Sequence, residues 1–253
     1  MFFNFILYRK YMKDTVYFIS DAHLGSNSPA KEKLKEERLL LFLEQIKKDS
    51  QALYILGDLF EFWFEYKNVI PKNHFPILMK LKEITDLGIP ITYLVGNHDF
   101  WLGDSLTEQV GMKIVKHPLS VEHQGKIIYL IHGDGLAKKD IGYRILKKIL
   151  RNRINIFLYK LIPPDIGIPF AKIIASYSRN KTQSRDKEFL EDYREFAKEK
   201  IVEGYDAVII GHTHQPCFEE LDKGVYINLG DWFEHFTYGK LTQGKFYLME
   251  YKT

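Results

Sequence analysis

The sequence predicts a layered α/β fold, and three observations carry that reading. Short apolar, β-branched and aromatic runs alternate with amphipathic helical stretches. Five short polar motifs each follow one of those runs directly. A long strand-free segment, from about Leu136 to Glu203, then interrupts the alternation with basic helical sequence. At 253 residues the chain suffices for one large domain, or for a core carrying an insertion.

In chain order, the expected strands are Thr15–Ser20, Ala52–Leu56, Ile91–Val95, Lys126–Ile131, Asp206–Ile210, Val225–Asn228 and Lys245–Tyr251. Each is an apolar or aromatic run bounded by polar or glycine residues. Between the first two, Lys31–Lys48 reads as a helix. Leu39, Phe42, Leu43 and Ile46 share one face, and Lys and Glu surround it. A second helix is expected over His74–Asp86, stopping at Gly88. The segment from Leu136 to Glu203 reads as helices broken at Pro163-Pro164 and around Asp165–Gly167, inserted between core strands.

Composition excludes several classes. With 45% hydrophobic and 27% charged residues the chain is ordinary globular material, without repeats. A net charge of +3 is far below that of a dedicated nucleic-acid binder. One cysteine, Cys217, rules out an internal disulfide framework and fits a reducing compartment. No run is apolar for the roughly 18–20 residues that a membrane span needs. The apolar start lacks a preceding basic residue and a cleavage site. Residues 1–11 read as an upstream extension or a start-site error, and the expected location is the cytoplasm.

The five motifs carry the chemistry. Asp21-Ala-His23, Gly57-Asp58, Gly96-Asn97-His98-Asp99, His132-Gly-Asp134 and Gly211-His212-Thr-His214 all sit at strand ends. Strand ends on one sheet edge converge on one place, so these side chains can meet. Carboxylate, amide and imidazole donors without thiolates suit hard-to-borderline divalent metals. Asp-x-His and His-x-His direct alternate side chains to one side of an extended segment. Asp58 has two oxygens with which to bridge a pair of ions. Each motif alone is more simply a turn, but five at strand ends are not a coincidence of turns.

In this order the motifs resemble those of the calcineurin-like metallophosphoesterase superfamily, over Asp21 to His214. The resemblance implies a four-layer α-β-β-α sandwich: a β-sandwich flanked by helices. It assigns Asp21, His23, Asp58 and His214 to one metal, and Asp58, Asn97, His132 and His212 to the other. Two ions so held share a water, lower its pKa and clamp the phosphoryl oxygens. His98 then lies beside the phosphoryl group or leaving oxygen, with Asp99 either orienting His98 or capping its loop.

The helical insertion points to the substrate. Lys138, Lys139, Arg144, Lys147, Lys148, Arg151, Arg153, Lys160 and Lys172 are interleaved with Ile145, Ile149, Ile154, Phe157, Leu158 and Leu161. Basic and apolar stripes together suit an anionic amphiphile or a membrane surface. The plainer reading is a helical lid whose apolar residues pack on one another. Ser20-Asp-Ala-His-Leu-Gly25, Gly57-Asp-Leu-Phe-Glu-Phe-Trp63, Gly96-Asn-His-Asp-Phe-Trp101 and Asn228-Leu-Gly-Asp-Trp232 resemble the UDP-2,3-diacylglucosamine hydrolase family of lipid A biosynthesis. That resemblance implies attack on the α-phosphorus of a UDP-linked diacylated glucosamine lipid, with Mn2+ as the metal. It also implies a peripheral position on the cytoplasmic face of the inner membrane. Asp140, Asn180 and Lys181 match sugar-phosphate contacts loosely, beside Asn97 and His98. His98 stands where many members of that family carry Arg, which leaves a soluble nucleotide or phosphodiester substrate as the alternative.

Overall fold

The computed structural model describes residues 13–137, 141–183 and 186–252. Its first sheet is built from β1 (Thr15–Ile19), β2 (Ser50–Leu56), β3 (Ile91–Leu94), β4 (Lys113–Val115), β10 (Thr237–Thr242) and β11 (Lys245–Glu250), ordered β11-β10-β1-β2-β3-β4. Its second contains β5 (Leu119–His123), β6 (Lys126–Ile131), β7 (Ala207–Ile210), β8 (Cys217–Leu221) and β9 (Gly224–Asn228), ordered β5-β6-β7-β9-β8. All seven expected strands are present to within two residues at each end.

The central strands are covered on both faces, which explains their unbroken apolar runs. Val16 and Phe18 of β1 face Ala207 and Ile209 of β7 across a core between the sheets. The alternate residues Tyr17 and Ile19 pack outward, against Leu39, Phe42, Leu43 and Ile46 of α1 (Pro29–Ile46) and Leu81 and Ile84 of α2 (Phe75–Asp86). On the second sheet Val208 and Ile210 face Tyr193, Ala197 and Ile201 of α7 (Asp186–Val202). The layers therefore run helix, sheet, sheet, helix. Between Met112 and β7 the described helices are α4 (Ile141–Leu150), α5 (Arg153–Lys160), α6 (Pro164–Gln183) and α7, after a single turn, α3, at Ser105–Glu108.

Some local expectations give way to the structure. Four strands escape the sequence pattern. β4 is three residues long, β5 and β8 are edge strands burying one side only, and β10 carries Gly239 and Lys240. No helix break falls at Asp165–Gly167. Pro164 starts α6 instead, because its missing N–H costs nothing in a first turn, and the Tyr159 hydroxyl donates to the Gly167 carbonyl at 2.7 Å. Lys35 departs from the solvent-facing pattern of α1: it is 1% exposed, and its Nζ donates to the His23 carbonyl at 2.6 Å.

What the fold does for the site follows from strand direction. β1, β2 and β3 are parallel in one sheet, and β6, β7 and β9 in the other. The loops leaving their C-terminal ends meet at the rim where the two sheets are stacked.

Candidate metal centre

Four of those loops tie themselves together in pairs through the backbone. The Asp21 N–H donates to the Gly57 carbonyl (3.1 Å), the His23 N–H to the Asp58 carbonyl (2.9 Å) and the Gly211 N–H to the His132 carbonyl (2.9 Å). Carboxylates lock the remainder. Asp58 Oδ1 accepts from the His98 N–H at 2.9 Å, and Asp21 Oδ2 from the His212 N–H at 2.8 Å. These approaches require glycine: a Cβ on Gly96 would lie 2.0 Å from Asp58 Oδ1, and one on Gly211 would lie 2.6 Å from Asp21 Oδ2.

Neither the Asp-x-His nor the His-x-His segment is extended, contrary to the sequence reading. Asp21, His23, Asp58, His212 and His214 all have positive φ, between 43° and 69°. Such a backbone costs each residue about 1 kcal/mol or more and persists only where its surroundings enforce it. Turned this way, consecutive ligand candidates of one loop point into the same cluster.

Three donor groups result among the described residues. One, His23 with Glu61 and His98, shares His23 and matches neither expected ligand set, and the other two do match. In the first of these two, His23 Nε2 and His214 Nε2 are 3.0 Å apart, and Asp21 Oδ1 lies 3.7 and 3.3 Å from them. In the second, His132 Nε2 lies 3.3 Å from Asp58 Oδ2 and 3.0 Å from Asn97 Oδ1, with His212 in the same cluster. Asp58 Oδ2 is also 3.8 Å from His23 Nε2, so this one oxygen faces both groups. Asp21, His23, Asp58 and His132 are at most 3% exposed.

The donors fit a divalent cation by chemistry and by their unmet bonds. Asp21 Oδ1 and His214 Nδ1 are buried without a hydrogen-bond partner among the described residues. The opposite nitrogens of two imidazoles are already committed, which leaves each Nε2 to the cluster. His23 Nδ1 donates to Glu61 Oε2 at 3.0 Å, and His132 Nδ1 to the Leu56 carbonyl at 2.6 Å. Electrostatics agree. Burial alone would lower His23, but Asp21 and Glu61 outweigh it and lift the ring to about 9. His132 is likewise lifted against burial, by Asp58, to about 10. Burial and the charge of His132 push His212 down to about 4. Asp21 and Asp58, which burial would raise, are held well below the usual carboxylate range by the surrounding imidazoles. The cluster is thus a concentration of anionic oxygen that holds positive charge.

Of the two roles expected for Asp99 beside this cluster, the geometry matches loop capping. His98 is 8% exposed; its ring stands 4.7 Å from that of His23, and its Nδ1 donates to the Glu61 carbonyl at 3.1 Å. Asp99 does not orient His98. Its carboxylate accepts from the Gly96 N–H (3.0 Å), the Phe60 N–H (3.3 Å) and the Tyr93 hydroxyl, so it braces the loop from behind. Asp140 lies outside the described residues, as do the side chains of Asn180 and Lys181. Two contributors escaped the sequence. Glu61 sits in an aromatic run and is the only acid of Leu59–Phe64, while Lys35 looks like its solvated neighbours. The stretch Asn228–Trp232 buttresses the centre: Asn228 Nδ2 donates to the Gly211 carbonyl (3.2 Å), and the Trp232 N–H to the Asp21 carbonyl (3.2 Å).

The helices α4 to α6 lean on the loops beside this centre. Phe62, Phe64 and Ala171 form a small core with Trp101 and Tyr159, and Trp101 Nε1 donates to the Leu150 carbonyl at 3.0 Å.

Comparison with known proteins agrees with this geometry. The family model for calcineurin-like phosphoesterases matches residues 15–216. A UDP-2,3-diacylglucosamine hydrolase of Porphyromonas gingivalis is 34% identical over 245 residues, 90% of this chain and 94% of its own length. Another, from Pseudomonas fluorescens SBW25, is 32% identical over 222 residues, 86% of this chain and 87% of its own.

Proposed function

Because the chain belongs to the calcineurin-like phosphoesterase family, we propose that it hydrolyses the pyrophosphate of UDP-2,3-diacylglucosamine. The products are UMP and 2,3-diacylglucosamine 1-phosphate, on the pathway to lipid A. One observation carries the choice of substrate. An apolar cavity of about 220 Å³ opens beside Asn97 and His98, walled by Phe62, Trp101, Leu150, Phe170 and Ile174. Such walls take acyl chains, while Lys147 and Arg151 at the same cavity meet the charged head of the lipid.

Asp21, His23, Asp58 and His214 would hold one divalent ion; Asp58, Asn97, His132 and His212 would hold the second, with Mn2+ as the native metal. When bound, the pair supplies acidified water and charge neutralisation at the phosphoryl oxygens. The protein's own part is orientation. Glu61 and the Leu56 carbonyl fix the tautomers of His23 and His132. His98, whose Nδ1–H donates to the Glu61 carbonyl, stands beside the departing phosphate, to which its other nitrogen donates only when the ring is protonated. Asp99 shapes the His98 loop rather than acting on substrate.

Helices α4 to α6 are the lid over the apolar cavity, with Asp140, Asn180 and Lys181 assigned on sequence alone to sugar and phosphate contacts. Their outer surface supports peripheral membrane binding on the cytoplasmic side. Ile154, Leu161 and Ile173 are 67%, 66% and 69% exposed, whereas helices packed only on each other would bury them. Arg153, Lys160 and Lys172 lie among these residues. No helix among the described residues is long and apolar enough to cross a membrane.

The test is turnover of detergent-dispersed UDP-2,3-diacylglucosamine with added Mn2+, products identified by mass spectrometry. The expected result is UMP and the lipid phosphate in equal amounts. Cleavage of bis-p-nitrophenyl phosphate or dinucleoside polyphosphates without lipid hydrolysis would refute the assignment.

A further inference from the structure

A second cavity, of about 230 Å³, opens on the other side of the same centre. The apolar cavity reaches Asn97 and His98; this one reaches His132 and Asp134. Asn97 Oδ1 and His132 Nε2 are 3.0 Å apart, so the two cavities are separated by one contact between candidate ligands. Lys147 and Arg151 of α4 line both. Lys147 Nζ is 2.6 Å from Asp134 Oδ2, and Arg151 Nη2 donates to the Gly96 carbonyl at 3.2 Å. Two cations therefore bridge from the helical segment to the core at the neck between the cavities.

The walls of the two spaces differ in kind. The second cavity has Val95, Val115 and Ile131 as a narrow apolar floor. Its outer side is Lys116, His117 and Pro118, all exposed, on the short link carrying the chain from β4 of one sheet to β5 of the other. A cation, an imidazole and an apolar floor suit a nucleoside, whose ring can pack on the valines while its oxygens and ribose hydroxyls meet donors.

We infer that this second cavity binds the nucleoside monophosphate half of the substrate, with the pyrophosphate crossing the neck beneath Lys147 and Arg151. The inference rests on the substrate reading above and adds a direction to it. The lipid lies on the Asn97 side of the centre and the nucleoside on the His132 side. Lys116 and His117 belong to neither metal cluster, so they are specificity residues for the nucleoside.

The test is calorimetric binding of UMP to the full chain loaded with Mn2+, alongside lipid-substrate turnover, for wild type and the double variant K116E/H117A. UMP binding is expected to weaken roughly tenfold, the size of one lost charge-assisted contact. Inhibition by 2,3-diacylglucosamine 1-phosphate and kcat are expected to stay as in wild type, while KM rises. Unchanged UMP binding in the variant, with hydrolysis intact, overturns the inference alone. Equal weakening of UMP and lipid-phosphate binding also overturns it, since that marks a general disturbance. Absence of lipid hydrolysis in wild type, with UMP binding lost in the variant, removes the lipid assignment but supports the nucleoside cavity. A second variant, H117W, narrows the mouth and is expected to weaken UMP in the same way.

Discussion

Removing the Glu61 carboxylate should loosen the metal centre without touching a metal ligand. Glu61 Oε2 accepts from His23 Nδ1 at 3.0 Å, and the two side chains are 1% and 2% exposed. In Glu61→Ala that buried N–H loses its acceptor, at a cost of about 1–3 kcal/mol, or the ring changes tautomer and offers a proton where a lone pair is needed. Loss of such an outer partner typically weakens metal binding about 10–100-fold, which is about 1.4–2.7 kcal/mol. The two estimates overlap. Glu61→Gln should lose less, because its carboxamide oxygen still accepts from Nδ1. The His98 contact uses the Glu61 backbone carbonyl and should survive in both variants. The assay is competition for Mn2+ against a chelator of known affinity, with circular dichroism as the control for folding. Wild-type affinity in a folded Glu61→Ala protein would refute the reasoning, as would equal losses in the alanine and glutamine variants.

Four further outcomes are expected. Asp58→Ala and His132→Ala should abolish turnover with the fold intact; wild-type turnover in either would remove the metal assignment. Ion binding to chelator-stripped protein near pH 7.5 should release two protons, because His23 (about 9) and His132 (about 10) must become neutral to ligate. Calorimetry in buffers of different ionisation enthalpy counts them, and no release would contradict the assignment. Burial, with Lys172 and Lys35 nearby, lowers His74 to about 3. The folded state then binds fewer protons than the unfolded one, so stability present above pH 6.5 drains away as pH falls toward 3. Between pH 8 and pH 5 the loss from this group is about 2 kcal/mol, and denaturant titrations of His74→Phe should lack it. Ile174→Glu, in the apolar cavity wall, should raise KM for the lipid while sparing a chromogenic phosphodiester, as parallel kinetics would show.

What was legible in the sequence is what repeats locally. Thr15–Ile19 and Ala207–Ile210 are buried on both faces, so their runs stand out; Leu119–His123 buries one side, pairs only with β6, and does not. The five motifs were legible because each pairs a distinctive residue set with a strand end. Their conformation was not. Nothing in Asp-Ala-His announces that Asp21 and His23 are both left-handed, since that is imposed by bonds to Gly57, Asp58 and His212 far along the chain. Glu61 and Lys35 were hidden for a related reason. Each acts on His23 through a tertiary contact: Glu61 stands within the Gly57–Trp63 motif, yet nothing in that motif ties it or Lys35 to His23.

The most direct measurement is hydrolysis of UDP-2,3-diacylglucosamine by the Mn2+-loaded protein in oxygen-18 water, with both products weighed by mass spectrometry. Attack by water on the nucleotide-side phosphorus should place one heavy oxygen in UMP and none in the lipid phosphate. Label in the lipid phosphate, or an intact substrate, would contradict the proposed chemistry.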